Sequence, residues 1–137
     1  MNPQELKERT KQFALRVMHL VDALPSTPKG RAIASQLVRS GTSVAANYRA
    51  SCRARSRAEF ISKIGVVEEE ADETALWLEL IVADKLLAET KTAPLLKEAN
   101  ELVAIMAASY ISASRSKRDV SVNSKSAIRN QQSAIRL

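Results

Sequence analysis

The sequence predicts an all-α protein, an antiparallel up-and-down four-helix bundle formed by a single domain. Apolar residues recur at helical spacing in four segments, and short polar segments separate these four. Only three Gly and four Pro interrupt the chain, and aromatic residues make up 4% of it, so Leu, Ile, Val and Ala must form the core. A chain of 137 residues is long enough for one core and too short for two. Helices joined by short connections pack as antiparallel neighbours.

The first helix is predicted to begin at Pro3 and to end near Leu24. Asn2 precedes Pro3, and Glu5 lies three residues after Asn2, which is the pattern of an N-cap with a capping box. The core positions of this helix are Leu6, Phe13, Ala14, Val17, Leu20, Val21 and Leu24. The segment 25–30 is predicted to be a turn, because each of its two Pro residues interrupts a helix.

The second helix is predicted to extend from about Arg31 to about Cys52. Its core positions are Ile33, Leu37, Gly41, Val44 and Tyr48. Gly41 therefore lies on the core stripe, where the absence of a side chain would let another helix approach closely. A second face carries mainly small residues and could admit a neighbouring helix; it consists of Arg39, Ser43, Ala46 and Ala50.

The third helix is predicted to begin after Ser56, because Ser56 and Glu59 form a capping-box pattern just before an apolar run. Its core positions are Phe60, Ile64, Val67, Ala71, Leu78 and Val82. A separate face combines the single Trp with carboxylates and consists of Val66, Glu70, Glu73, Trp77, Leu80 and Asp84. A helix with two apolar sides either lies in a crowded position of the bundle or forms a surface between subunits.

The fourth helix is predicted to begin at Pro94 and to end near Ser114. The chain then becomes rich in Ser, Asn, Gln and bases, and it repeats the sequence Ser-Ala-Ile-Arg. Too few apolar residues remain to offset the entropy of ordering this segment. We therefore predict a bundle over residues 1–115 and a basic, disordered tail over residues 116–137.

Charge is sorted along the chain. Seven bases and no acid lie between Lys29 and Arg57, and eight acids and one base lie between Ala58 and Asp84. The net charge of +6 comes mainly from the tail, where residues 115–137 contribute six bases and one acid. The basic block is thus the part of the bundle that could contact a polyanion, or it could pair with the acidic block of the same or a neighbouring subunit.

Two groups of candidate site residues follow from this charge sorting. Arginine suits bidentate contact with phosphate or carboxylate, and four arginines cluster where the second helix gives way to the third. The candidate nucleic-acid contacts are Arg49, Arg53, Arg55, Arg57, Lys29 and Arg31. The candidate contacts between subunits are Arg39, Ser43, Ala46, Asn47, Glu70, Glu73 and Trp77. Phosphate contact and pairing with the acids of the third helix remain alternative roles for the arginines.

The sequence contains no recognisable catalytic or metal-binding constellation. His19 is the only His and lacks partners for nucleophilic or metal chemistry, so a solvated or structural role is expected. The acids of residues 68–73 lack the Glu-x-x-His pattern of metal sites in bundles and are expected to form a solvated or docking face. The single Cys52 is expected to be a small buried side chain. We therefore expect no enzyme, no cofactor, no membrane span and a cytoplasmic protein.

Segments of the second and third helices resemble a known protein family. Gln36-Leu-Val-Arg39-Ser40, Ser43-Val44-Ala45-Ala46-Asn47 and Glu70-Ala-Asp-Glu73-Thr, followed by Trp77-Leu78-Glu79, are similar to the four helix bundle proteins encoded within intervening sequences of bacterial 23S rRNA genes. The resemblance covers about residues 6–115. After Asn47 the chain departs from the family pattern, because Tyr48-Arg49-Ala50-Ser51 is basic and lacks the acid and Gly found in many members.

The resemblance implies a bundle that assembles with copies of itself. A related group is formed by the accessory variability proteins of diversity-generating retroelements, which are pentamers that bind nucleic acid and a reverse transcriptase. This relationship implies a ring-like homopentamer and RNA, DNA or a reverse transcriptase as partners. Two functional hypotheses result: a non-enzymatic nucleic-acid-binding or scaffold protein, and a homo-oligomeric adaptor whose charged helices serve assembly or the docking of a protein partner.

Overall fold

The chain folds into four α-helices, as the sequence predicts. A computed structural model describes the backbone of residues 1–124 and the side chains of residues 1–115. The helices are α1 (Pro3–Val21), α2 (Pro28–Cys52), α3 (Arg57–Ala83) and α4 (Glu89–Ser124), and no strand occurs in residues 1–124. Each helix packs against its neighbour in sequence, and α1 also contacts α4, so the four helices enclose one core. The predicted antiparallel four-helix bundle is confirmed.

The antiparallel order gives the bundle two distinct ends. The junction end contains the α2–α3 connection (residues 53–56), the start of α1 and the part of α4 around residues 108–113. The far end contains the connections α1–α2 (residues 22–27) and α3–α4 (residues 84–88). The two termini of each helix therefore lie at opposite ends of the bundle.

The core is aliphatic, as the composition predicts. Its fully buried large side chains are Phe13, Val17, Leu37, Val44, Ile64, Val67, Leu78, Ile81, Leu102 and Met106. The predicted stripe of α3 needs one correction, because Ile81 is fully buried whereas Phe60 and Val82 are half-buried. Thr74 and Ala75 are buried as well, so the inward side of α3 is centred on the predicted stripe and is wider than the sequence pattern suggested.

Two of the four helix starts follow the predicted capping chemistry. In α1 the Glu5 N–H donates to Asn2 Oδ1 at 2.8 Å, and the Asn2 N–H donates to Glu5 Oε1 at 2.9 Å. In α3 the Glu59 N–H donates to Ser56 Oγ at 3.0 Å. The Glu59 carboxylate accepts instead from the Arg55 N–H, at 2.7 Å. Both caps satisfy backbone donors that a helix leaves without partners at its start.

The start of α2 lies three residues before the predicted one. Thr27 is the N-cap, its hydroxyl accepts from the Gly30 N–H at 3.1 Å, and Pro28 occupies the first helical position. Proline is well tolerated there, since its missing N–H would have no partner in the helix anyway. The sequence prediction treated Pro28 as a helix breaker and missed its role in starting the helix.

Both ends of α4 extend beyond the predicted ones. The helix begins at Glu89 and contains Pro94 at its sixth position, where the ring lies on the exposed side. It continues to Ser124, past the predicted end near Ser114, because no Gly or Pro interrupts it after Pro94. Nine positions of the predicted tail therefore belong to α4, and residues 125–137 lie outside the described part of the chain.

The α1–α2 contact is tight at Gly41, as predicted. A methyl group added to Gly41 would lie only 2.9 Å from Cγ2 and 3.0 Å from Cγ1 of Val17, which is completely buried. Carbon atoms in normal contact are about 3.5–4.0 Å apart. The absence of a side chain at Gly41 thus sets the distance between these two helices.

The end of α3 adopts a left-handed conformation at a residue other than glycine. Lys85 has φ of 57°, its N–H donates to the Val82 carbonyl at 3.1 Å, and the next N–H, that of Leu86, donates to the Ile81 carbonyl at 3.0 Å. These two bonds form a Schellman motif, which usually has Gly at this position. Lys85 therefore retains a backbone strain that Gly would relieve.

An ion cluster connects the first helix with the last. Arg9 Nε and Nη2 each lie 2.7 Å from an oxygen of Glu98, and Nη2 also lies 2.7 Å from Glu101 Oε1. The Glu98 carboxylate is the main reason that the pKa of Arg9 lies above its usual value. Because Arg9 and Glu98 are both largely shielded from solvent, this bidentate pair is a defined connection between α1 and α4.

Candidate nucleic-acid interface

The arginine junction, formed by Arg49, Arg53, Arg55 and Arg57, lies at the junction end of the bundle. It combines the last turn of α2, the connection and the first residue of α3. All four side chains are exposed. The four arginines that the sequence placed together are thus close in space and accessible.

The junction arginines have few acidic partners. Among residues 1–115, Arg55 alone of the four forms an ion pair, with Glu59 at 3.8 Å, and its side chain remains 90% exposed. An exposed pair at this distance is weak and easily screened by salt. Within one subunit, pairing with the acids of α3 therefore does not account for these arginines.

The acids of α3 bind a different base. Arg39 donates hydrogen bonds to Glu73 Oε2 and, at 3.4 Å, to Glu70 Oε2. The second oxygen of Glu70, Oε1, lies 3.3 Å from Arg39 Nη1 but outside hydrogen-bonding geometry, and it has no hydrogen-bond donor among the described residues. The Trp77 Nε1–H donates to Glu73 Oε2 at 3.2 Å. Arg39 and Trp77 together lower the pKa of Glu73, Arg39 having the larger effect.

The residues predicted to contact another subunit lie along one side of α2 and α3. Arg39, Glu70, Glu73 and Trp77 form the cluster just described, within a single chain. Asn47 Nδ2 donates to the Ser43 carbonyl at 3.0 Å and to Ser43 Oγ at 2.9 Å, and Ala46 is exposed. The charged members of this group are therefore already paired inside the subunit, and Trp77 is half-buried against the core.

Lys29 and Arg31 do not belong to the arginine junction. They lie in the first turn of α2, at the far end of the bundle, about 36 Å (Lys29) and about 33 Å (Arg31) from Arg53 along the helix axis at 1.5 Å per residue. Lys29 Nζ pairs with Asp84 Oδ2 at 2.6 Å, and Arg31 Nη1 donates to the Ser26 carbonyl at 2.8 Å. The length of α2 separates its two termini, so one compact binding surface cannot include both groups.

The junction end contains further bases that the sequence analysis did not single out. Lys7 and Lys11 of α1 lie beside Arg49 of α2, and Arg115 of α4 is exposed. Arg57 itself lies next to α4, where it lines a groove with Ser109 and other small residues. Lys7 and Lys11 belong to a segment of mixed charge, so only the packing of α1 against α2 shows that they lie beside Arg49.

His19 and Cys52 are the other two side chains that the sequence singled out, and the prediction for Cys52 needs a correction. His19 is exposed and lines a groove of about 380 Å³ between α1 and α4. Cys52, expected to be buried, is exposed because it is the last residue of α2, beyond the end of the core. Burial, together with a hydrogen bond to Cys52, raises the pKa of Tyr48.

The described residues contain neither a metal-binding cluster nor a membrane-spanning helix. No group of three or more His, Cys, Asp or Glu side chains in this part of the chain is placed to hold a metal ion. None of the described helices combines the length and the apolar character that crossing a bilayer requires.

Comparison with known proteins shows to which family the chain is similar. Residues 4–108 match the sequence model of the 23S rRNA-intervening sequence protein family. A solved structure of a Bacteroides thetaiotaomicron protein, described as having unknown function and belonging to the S23 ribosomal protein family, is similar with a TM-score of 0.71 and 31% identity. The similarity covers 76% of this chain and 96% of that one. No curated protein matches the chain significantly.

Proposed function

We propose that this chain, which belongs to the 23S rRNA-intervening sequence protein family, is a non-enzymatic, oligomeric protein that binds the sugar-phosphate backbone of RNA or DNA through the arginine junction. One observation carries the proposal: four exposed arginines lie together at one end of the bundle, and only one of them has an acidic partner, at 3.8 Å, among residues 1–115. Exposed, unpaired guanidiniums suit bidentate contacts with phosphate. Binding of this kind depends on charge and is weakly selective for sequence.

Fluorescence anisotropy tests this function with the full chain. Labelled structured RNA and duplex DNA are titrated over a series of salt concentrations, and a steep loss of affinity with salt is expected. Arg53→Glu with Arg55→Glu should abolish most of the binding. The matched control is Lys29→Glu with Arg31→Glu, which changes the net charge equally at the far end and should retain most of it. Absence of salt-dependent binding, or equal losses in both variants, would contradict the proposal.

A second candidate function is a homo-oligomeric adaptor that docks a protein such as a reverse transcriptase. Its support is the outer side of α3, where Leu76 is 47% and Leu80 is 41% exposed beside the half-buried Trp77. Large apolar side chains of this kind are typical of interfaces. The resemblance to the accessory variability proteins of diversity-generating retroelements, noted from the sequence, implies a pentamer as the assembly.

Sedimentation equilibrium separates assembly from nucleic-acid binding. Leu76→Lys with Leu80→Lys should convert the oligomer to smaller species if α3 forms the contact between subunits. The matched control is Leu15→Lys with Met18→Lys, an exposed apolar pair on α1. An oligomer that survives the α3 substitutions, or a wild-type chain that is monomeric, would refute the α3 contact. Binding of a protein partner without any salt-sensitive binding of nucleic acid would favour the adaptor.

A further inference from the structure

A groove between α1 and α2 opens beside the arginine junction. It has a volume of about 220 Å³ and is lined by Lys7, Lys11 and Arg49, together with Gln4, Glu8 and Ala45. The bases come from the start of one helix and the last part of the next, which the antiparallel order places side by side at the junction end. Ala45 is the small residue at the α2 side of the groove, and Arg49 follows it by one turn.

The three bases of this groove have no ion-pair partner among residues 1–115. The ion pairs in that part of the chain involve Arg9, Lys29, Arg39 and Arg55 as the basic members. One acid, Glu8, does line the groove, and its Oε2 accepts a hydrogen bond from Gln12 Nε2 at 2.9 Å. The groove therefore retains an excess of two positive charges.

The spacing of the bases matches an extended anion better than a single one. Lys7 and Lys11 are separated by about 6 Å along α1, at 1.5 Å per residue. Successive phosphates of one DNA strand advance about 3.4 Å along the duplex axis, so two lysines at this distance would reach different phosphates. Lys7 is half-buried and Lys11 is exposed, which leaves both ammonium groups able to reach solvent while the stem of Lys7 packs on the protein.

Arg49 belongs both to the arginine junction and to the lining of this groove. It lines the groove on the α1 side of α2, and Arg53 follows one helical turn later at the end of the same helix. A strand that contacts Arg53 and Arg55 can therefore continue over Arg49 toward Lys7 and Lys11 without leaving the basic surface.

We propose that the α1–α2 groove is a second phosphate-binding segment, in which Lys7, Lys11 and Arg49 extend the path of a nucleic-acid backbone from the arginine junction onto α1. This inference rests on the proposed function and assigns two lysines to it that lie outside the charge-sorted blocks of the sequence. The ligand chemistry is the phosphodiester backbone of duplex nucleic acid, with no contact to the bases.

The test measures how the affinity of the full chain for a 20-base-pair DNA duplex depends on salt. Lys7→Gln with Lys11→Gln removes two charges. The negative slope of log K against log salt concentration should become shallower by about 1.8, since each phosphate contact contributes about 0.9. The matched control, Lys91→Gln with Lys97→Gln, removes two exposed lysines of α4 away from the groove and should leave the slope unchanged. Thermal unfolding verifies that each variant is folded.

The outcomes distinguish this inference from the function on which it rests. If the duplex binds the wild-type chain but the Lys7 and Lys11 variant has the same slope as its control, the groove is not a phosphate segment and the arginine junction alone binds. If the wild-type chain shows no salt-dependent binding, both proposals fail. Should the double variant not fold, Lys11→Gln alone, at an exposed position, should lower the slope by about 0.9, and an unchanged slope would overturn the inference.

Discussion

Replacing Gly41 by Ala tests whether the glycine sets the distance between α1 and α2. The new methyl group would lie 2.9–3.1 Å from three carbon atoms of Val17. Val17 is completely buried and β-branched, so it cannot turn away and the helices must separate by several tenths of an ångström. Overpacking of this kind costs about 1–3 kcal/mol. The better helix propensity of Ala returns about 1 kcal/mol, so a net destabilisation of about 1 kcal/mol is expected.

Gly65→Ala provides a control with the same chemical change. A methyl group at Gly65 would lie 3.4 Å from the nearest atom, on the ring of Tyr110, which is an ordinary contact. This variant should gain up to about 1 kcal/mol from helix propensity alone. Urea unfolding at one fixed protein concentration measures both variants, because stability depends on concentration if the chain is an oligomer.

The difference in the free energy of unfolding between the two glycine variants tests whether Gly41 sets the distance between α1 and α2. We expect Gly41→Ala to be less stable than Gly65→Ala by about 2 kcal/mol, and Val17→Ala to be less harmful in the Gly41→Ala background than in the wild-type chain. Equal or greater stability of Gly41→Ala would show that the α1–α2 contact can yield, and the close approach would not depend on the glycine.

The end of α3 and its contact with α2 can be tested by substitutions at Lys85, Glu73 and Thr74. Lys85→Gly should stabilise the protein by up to about 1 kcal/mol in urea unfolding because it relieves a left-handed backbone, whereas Lys85→Ala should give no gain. Arg39 holds the pKa of Glu73 below its usual range, so this carboxylate adds stability above the unfolded-state pKa of about 4.5 and loses that contribution as pH falls through the lower folded-state pKa. Glu73→Gln should therefore make the free energy of unfolding less dependent on pH below about pH 4.5. The same pH dependence in this variant and the wild-type chain would contradict this. Ser40 Oγ and Thr74 Oγ1 form a buried hydrogen bond of 2.8 Å, so Thr74→Val should cost about 1–2 kcal/mol by leaving the Ser40 hydroxyl poorly paired. Ser40→Ala should cost less, because the Thr74 hydroxyl keeps a bond to a carbonyl of its own helix, and equal costs would refute this explanation.

The helices were predictable where local chemistry determines them. The caps at Asn2 and Ser56 depend on residues three positions apart, and the core stripes follow from helical spacing, so both are visible in the sequence. The starts of α2 and α4 were predicted wrongly because Pro28 and Pro94 can begin, interrupt or lie within a helix, and the sequence alone does not distinguish these roles.

The candidate site was predictable in part. The arginine junction lies within nine consecutive residues, so its members stay together in any helix–turn–helix arrangement. The position of Lys29 at the other end depends on the length and direction of α2, and the neighbourhood of Lys7 and Arg49 depends on how α1 packs against it. Contacts between distant segments require the tertiary arrangement, which no local pattern encodes.

The ion cluster at Arg9 has a consequence for the order in which the bundle forms and opens. The contacts α1–α2, α2–α3 and α3–α4 all join consecutive helices and can develop as successive hairpins. The pair between Arg9 and Glu98 instead spans 89 residues, so it forms only after the chain has closed most of its length into a loop. Partial opening should begin at this seam, where α1 can swing away while α2, α3 and α4 stay packed. Amide hydrogens of α1 should then exchange with solvent sooner than those in the middle of α3, because α3 packs extensively against both α2 and α4 whereas α1 has only a small contact with α4.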